Sequence, residues 1–196
     1  IAMIFFGIYG TLVTLQGLWA TPFLMTVLGI ERMFASKLNM LIPVGVIIGA
    51  PFFGWLTDQF SLNKENTLIS ILTVYTLTWV GIIFFFSQLG TVGLSMMLLV
   101  MGIATGGFIS TLWGIVQETT PSEILGLVSG MLNPAPFLGV AAFQVLTGAI
   151  LDRTTRVGDL YPLSGFRNAF LICLFGIAIC LVLSFCLPRS KGPEAS

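Results

Sequence analysis

Charged residues fall in a few short intervals of this 196-residue chain and leave uncharged, mostly apolar stretches at 1–30, 38–57, 66–117, 124–151 and 168–188. About 20 apolar residues in helix cross a hydrocarbon core of roughly 30 Å, so the stretch 66–117 holds two crossings and each of the others one. The pattern predicts six helices, over about 2–26, 38–58, 66–86, 93–116, 121–151 and 168–187, and a polar C-terminal tail at 188–196. The stretches are about twice the length of a barrel strand, and lipid demands that backbone groups be satisfied within helices or closed barrels. The fold class is therefore all-α membrane protein.

Turn residues punctuate where the lengths demand it. Gly29 to Lys37, with Glu31 and Arg32, returns the first helix to the second; Gln59 to Glu65 forms a polar turn; Ser87 to Thr91, with Gly90, divides the longest stretch. Thr120, Pro121, Ser122 and Glu123 have the order of a capping box that would open the fifth helix. The segment from Asp152 to Arg167 carries the charges before the last helix. Pro43, Pro51, Pro134 and Pro136 lie inside spans, where each removes a backbone bond and predicts a kink. Trp19, Trp55 and Trp113 fall near helix ends at headgroup depth, whereas Trp79 lies deeper.

Composition narrows the function. Charged residues make up 8% of the chain, against about 25% in soluble domains, and the net charge is +0. This excludes a soluble enzyme, a nucleic-acid binder and a secreted disulfide module. There is no His, and no metal site or cofactor is expected. Cys173 and Cys180 are seven residues apart on one helix, too far along its axis to bridge, and with Cys186 they read as apolar filler. Ile1 opens the chain inside an apolar stretch without a basic leader, as expected of a fragment.

The second helix ends in Gly54, Trp55, Leu56, Thr57 and Asp58, followed by Gln59, Phe60, Ser61, Leu62, Asn63 and Lys64. This resembles the loop signature Gly-x-Leu-Ala-Asp-Arg-x-Gly-Arg-Lys of the major facilitator superfamily of transporters: Gly54, Leu56 and Asp58 match, and Lys64 stands one position late. Glu118, Pro121, Gly126, Gly130 and Asn133 resemble the fourth-to-fifth helix junction of a facilitator half. Residues 16–30 are similar to the first helix and loop of a C-terminal half in the bacterial sugar-phosphate-permease-like branch. The resemblance implies helices seven to twelve of a twelve-helix transporter, a missing N-terminal six-helix half as partner, and a multi-pass protein of the bacterial inner membrane. It also implies that Gly54, Asp58 and Lys64 gate conformation, with Asp58, at the unfavourable end of its helix dipole, finding a positive partner on the opposite half.

Gly45 with Gly49, and Gly126 with Gly130, form Gly-x-x-x-Gly faces on the second and fifth helices, suited to close packing against that other half. Uncharged polar and aromatic residues group at helical spacing. Asn133 and Gln144 are eleven residues apart and lie within about 20° of one direction, with Phe137 between them. Tyr9 with Gln16, and Trp113 with Gln117, form similar faces on the first and fourth helices. These seven residues are the candidate substrate pathway, because the family lines its cavity with such helices. Thr11, Thr14 and Thr21 point elsewhere and read as structural.

Two other readings compete. Asn133, Pro134 and Ala135 match the aquaporin triplet, but only one copy is present and it lies inside a full-length span. A non-transporting scaffold would use the same Gly faces. Orientation is contested: with the 59–65 turn in the cytoplasm, basic residues count three inside (Lys64, Arg189, Lys191) against five outside (Arg32, Lys37, Arg153, Arg156, Arg167), opposite to the positive-inside preference. The sequence thus predicts half of a transporter that moves a small solute across a lipid bilayer by alternating access, with no covalent chemistry.

Overall fold

The structure is a computed structural model that describes residues 1–155 and 160–187; Arg156, Asp159 and the expected tail 188–196 lie outside them. Among the described residues six helices are long and apolar enough to cross a membrane: α1 (Ala2–Leu28), α2 (Arg32–Gln59), α3 (Lys64–Phe84), α4 (Phe86–Thr119), α5 (Leu125–Leu151) and α6 (Leu163–Ser184). The chain is an all-α, integral multi-pass membrane protein. The side carrying the α2–α3 turn is called inner below.

Local chemistry sets the boundaries. Gly29 closes α1 in the left-handed region, at φ 62°, with its N–H on Met25 O. The side chain of Asn63 caps α3 by accepting from Asn66 N at 2.8 Å. Gly90, at φ 58° and ψ −167°, interrupts the first turns of α4 inside the expected divider. Pro134 and Pro136 lack donors for the preceding turn, and α5 accordingly breaks at Asn133 into Leu125–Leu132 and Pro134–Leu151. Pro43 likewise leaves Asn39 O without an amide donor, and α2 is interrupted at Met40; Pro51 is carried within the helix.

Two local expectations need correction. The charged return Gly29–Lys37 is largely helical, over Arg32–Asn39, because Glu31 is extended and starts a helix that continues into α2. The capping box does not form. Thr120 is extended, the Ser122 hydroxyl bonds the Glu123 carboxylate at 3.1 Å instead of the backbone, and the helix begins at Leu125 behind Ile124 without a side-chain cap.

Packing pairs α2 with α4, α1 with α5, and α3 with both α4 and α6. Gly45 and Gly49 lie against the backbone of α4 near Leu99, Gly102 and Ile103, and Gly106 lies against Val46 and Ala50. The first Gly-x-x-x-Gly face is thus covered by this chain's own α4, not left for another half, and its missing side chains let the two backbones meet. Gly126 and Gly130 meet nothing within 4 Å of an added Cβ. On the outer side Phe23, Trp79, Phe166 and Phe170 form an edge-to-face cluster, with Phe23 and Phe170 centroids 5.2 Å apart. Trp79 is a buried core residue; Cys173 and Cys180 are buried on α6, the latter against Met3 and Gly7 of α1, and Cys186 is exposed.

Candidate functional site

Toward the inner side, α1, α4 and α5 enclose a cavity of about 140 Å³ lined by Phe5, Tyr9, Ile109, Trp113, Leu132, Asn133, Pro136 and Phe137. Four of the seven candidate pathway residues meet here: Tyr9, Trp113, Asn133 and Phe137. Their placement follows from local structure. The proline break puts Asn133 at the bend of α5, and the close approach of Gly10 to Gly139 sets the α1–α5 distance at which Tyr9 and Phe137 meet edge to face, 6.4 Å between centroids. Phe5 packs against Trp113 at 5.1 Å and against Phe108 at 5.6 Å. Trp113 is therefore a wall of the cavity, not the headgroup anchor its position near a helix end suggested.

The polar atoms of this cavity are few. The Tyr9 hydroxyl, the Trp113 indole N–H and the Asn133 amide make no hydrogen bond with another described residue, and no charged side chain lines the space. The site offers aromatic faces with three groups able to hydrogen-bond. Phe5 and Ile109 were missed as lining residues, although each stands one helical turn (i−4) before a residue that was singled out, Tyr9 and Trp113.

The remaining candidates lie elsewhere. Gln16 and Gln144 are partly buried farther toward the outer side. Each lies three residues before a member of the Trp19 Nε1 to Thr147 Oγ1 hydrogen bond of 2.8 Å, which puts them at about the same depth on adjacent parallel helices. Gln117 is exposed at the inner end of α4, outside the cavity.

At that inner end Lys64 holds two carboxylates. Its Nζ is 2.7 Å from Glu118 Oε1 on α4 and 3.9 Å from Asp58 Oδ1 at the end of α2. The lysine stem passes over Gly114, where a Cβ would meet it at 3.2 Å. Asp58 thus has a positive neighbour in its own loop, where the opposite half had been expected to provide it; Gly54, one turn earlier, meets nothing within 4 Å. Glu118 was read only as part of a motif, and its pairing with a lysine 54 positions away has no sequence signal. The Asp58 side chain is 77% exposed and Glu118 44%, so solvent screens the cluster and its contribution is about 1 kcal/mol. In the full-length protein, Lys64→Met is expected to leave membrane insertion unchanged and alter turnover about fivefold, by releasing the α2–α3 turn from α4. Uptake kinetics identical to the parent's would remove this cluster from the mechanism.

No family model matches the chain. Over 135 residues, 67% of this chain and 28% of the relative, it is 26% identical to the choline/ethanolamine transporter flvcr2a of Danio rerio. Over 169 residues, 83% of this chain and 30% of the relative, it is 25% identical to the choline/ethanolamine transporter FLVCR2 of Homo sapiens. The chain spans under a third of either relative's length. Among solved structures, that of the major facilitator superfamily proton:xylose symporter XylE, bound to 6-bromo-6-deoxy-D-glucose, superimposes with a TM-score of 0.69 at 16% identity, over 96% of this chain and 43% of that one. The chain has the fold of a major facilitator superfamily half. The facilitator fold accounts for the six helices, and within it Asn133, Pro134 and Ala135 mark a bend in a spanning helix, not the end of a re-entrant one.

Proposed function

We propose that this facilitator half forms one wall of a transporter that moves a small organic cation of the choline or ethanolamine type by alternating access. The observation that carries the reading is the cavity walled by Tyr9, Trp113 and Phe137 with no charged side chain in its lining. Aromatic faces attract an alkylammonium group through their quadrupoles, and more strongly when water is excluded. Such a lining has no cation to hold an anionic solute. Its three polar groups suit one hydroxyl or amine better than the many hydroxyls of a sugar. The names of the two curated relatives agree with this class.

A second six-helix half supplies the other wall in this reading. The most open helices support its docking surface: α2 and α5 are each 22% buried along their apolar core, against 50% in α1, α3 and α4. Gly126 and Gly130 on α5 are the small residues left open for it. Gln16 and Gln144 belong to the outer part of the same pathway, Gln117 to its inner mouth, and Gly54, Asp58 and Lys64 to the switch between states. The membrane is the bacterial inner membrane, with the α2–α3 turn cytoplasmic.

The test is uptake of labelled choline, ethanolamine and xylose by cells expressing the full-length protein. Saturable choline or ethanolamine uptake, competed by excess unlabelled cation, is expected. Xylose uptake without choline or ethanolamine uptake would overturn the substrate class, and no solute-dependent flux with correct membrane insertion would favour a scaffold.

A further inference from the structure

Midway along α1 the helical register slips. Leu15–Trp19 is a π-turn, and the N–H of Ala20 reaches back five residues, to Leu15 O. In an α-helix that N–H would serve Gln16 O, so the slip takes from Gln16 O its usual donor. An unpaired backbone carbonyl away from water is costly. Here the donor comes from a different helix: Asn39 Nδ2 on α2 donates to Gln16 O at 2.8 Å. The other atom of that amide, Oδ1, is buried and has no hydrogen-bond partner among the described residues, so the side chain is held by the π-turn alone.

The two arms of α1 on either side of this slip are fixed differently. Below it, Gly10 lies against Gly139 with backbone in contact, so the inner arm cannot rotate without separating α1 from α5. Above it, the arm Ala20–Leu28 is tied by side-chain contacts. Trp19 Nε1 donates to Thr147 Oγ1 at 2.8 Å, the Trp19 and Tyr161 rings meet edge to face at 5.9 Å, and Thr26 Oγ1 donates to Tyr161 O at 3.4 Å. Gly17, inside the π-turn, is exposed and has nothing within 4 Å of an added Cβ, so its face is free to change shape.

We infer that Asn39 is a positioning residue that latches a π-to-α hinge in α1 and so sets the rotation of the outer arm, Ala20–Leu28. When Asn39 holds Gln16 O, the π-turn is satisfied. When it lets go, Gln16 O regains a donor only if the turn closes to an α-turn. That closure takes one residue out of the bulge, which turns the arm by about 100° and moves it about 1.5 Å along its axis. Trp19 then leaves Thr147, and Ala20, now fully buried, comes out of the core. Both arrangements satisfy the carbonyl, but the closed one sets the Pro22 ring against Leu18 O and withdraws Phe23 and Leu24 from the core, so the π-turn is the resting arrangement and the α-turn the minor one. The use of this hinge in transport rests on the proposed function; the latch itself does not.

The test uses the full-length protein in liposomes, in a background lacking Cys173, Cys180 and Cys186. A single Ala20→Cys reports the outer arm and a single Ile8→Cys, also buried, reports the inner arm, each through its rate of reaction with a small water-soluble thiol reagent. Asn39→Ala is expected to speed labelling at position 20 about tenfold and leave position 8 unchanged, and Asn39→Gln, which keeps an amide donor, to stay within about twofold of the parent. Should Asn39→Ala not insert, Asn39→Asp removes the same donor at the same size. Choline uptake should show an altered turnover with KM moved less than about twofold. Unchanged labelling at position 20 overturns the latch, as does an equal rise at position 8, which would mean general loosening. Labelling that switches as expected in a protein that moves no choline would keep the latch and discard the substrate reading.

Discussion

Trp113→Ala in the full-length protein is expected to raise the KM for choline uptake about thirtyfold while leaving the amount in the membrane within twofold. A cation held against a tryptophan face in a desolvated site gains about 2 kcal/mol, and 1.36 kcal/mol is a factor of ten. Trp113 is the largest aromatic face in the cavity, and the Phe5 ring, also in the lining, packs against it at 5.1 Å and restrains its orientation. Trp113→Phe keeps a face at the same place and should cost less than about fivefold, whereas Trp113→Leu keeps bulk without a quadrupole and should resemble the alanine variant. Tyr9→Phe separates the hydroxyl from the ring: a loss for choline smaller than threefold is expected, because the ring face for the trimethylammonium group remains and the choline hydroxyl can still bond Trp113 Nε1 or the Asn133 amide. Kinetics in which phenylalanine and leucine behave alike at position 113 would show that volume, not the aromatic face, matters there, and the cation reading would fall.

Gly49→Val should abolish the folded protein. An added Cβ at position 49 runs into the backbone of Ile103, and from the other side a Cβ added at Gly106 would stand 2.5 Å from Val46 O and 2.6 Å from Ala50 N. Both obstacles are main chain inside helices, so neither can rotate away as a side-chain tip would. Separating α2 from α4 to make room opens a helix pair whose backbones are in contact, at a cost of several kcal/mol, above the 1–3 kcal/mol typical of an overpacked core. Gly139→Val, with its Cβ against Phe6 O, should behave the same way on the α1–α5 pair. By contrast Gly126→Val meets nothing within 4 Å and should leave thermal stability in detergent within a few degrees. If the second half seats on that face, the same variant still loses transport. A monodisperse Gly49→Val protein with an unchanged melting temperature would contradict the packing described.

The number of spans was legible in the sequence because it is set locally, while the observed spans near 38, 93, 121 and 168 start at Arg32, Phe86, Leu125 and Leu163 instead. In lipid a stretch without charge has one solution, the helix, and a residue such as Gly90 or Pro134 acts on its own turn wherever that turn lies. The cavity was partly legible for the same reason: Tyr9, Trp113 and Asn133 carry polar groups on otherwise apolar helices, where burying them without a partner would be costly, and Phe137 shares the face of Asn133. Helical spacing could say which residues share a face, but not which helix that face meets. Tertiary structure alone assigned Gly45 and Gly49 to α4, because two Gly faces of identical spacing differ only in what is brought against them. It alone joined Lys64 to Glu118 and Asn39 to Gln16 O, since contacts between residues 54 and 23 positions apart depend on how helices pair. The register slip in α1 had a local signal that went unread, Pro22, which withholds an amide donor from Leu18 O inside the turn, whereas the bond from Asn39 to Gln16 O was decided by tertiary structure.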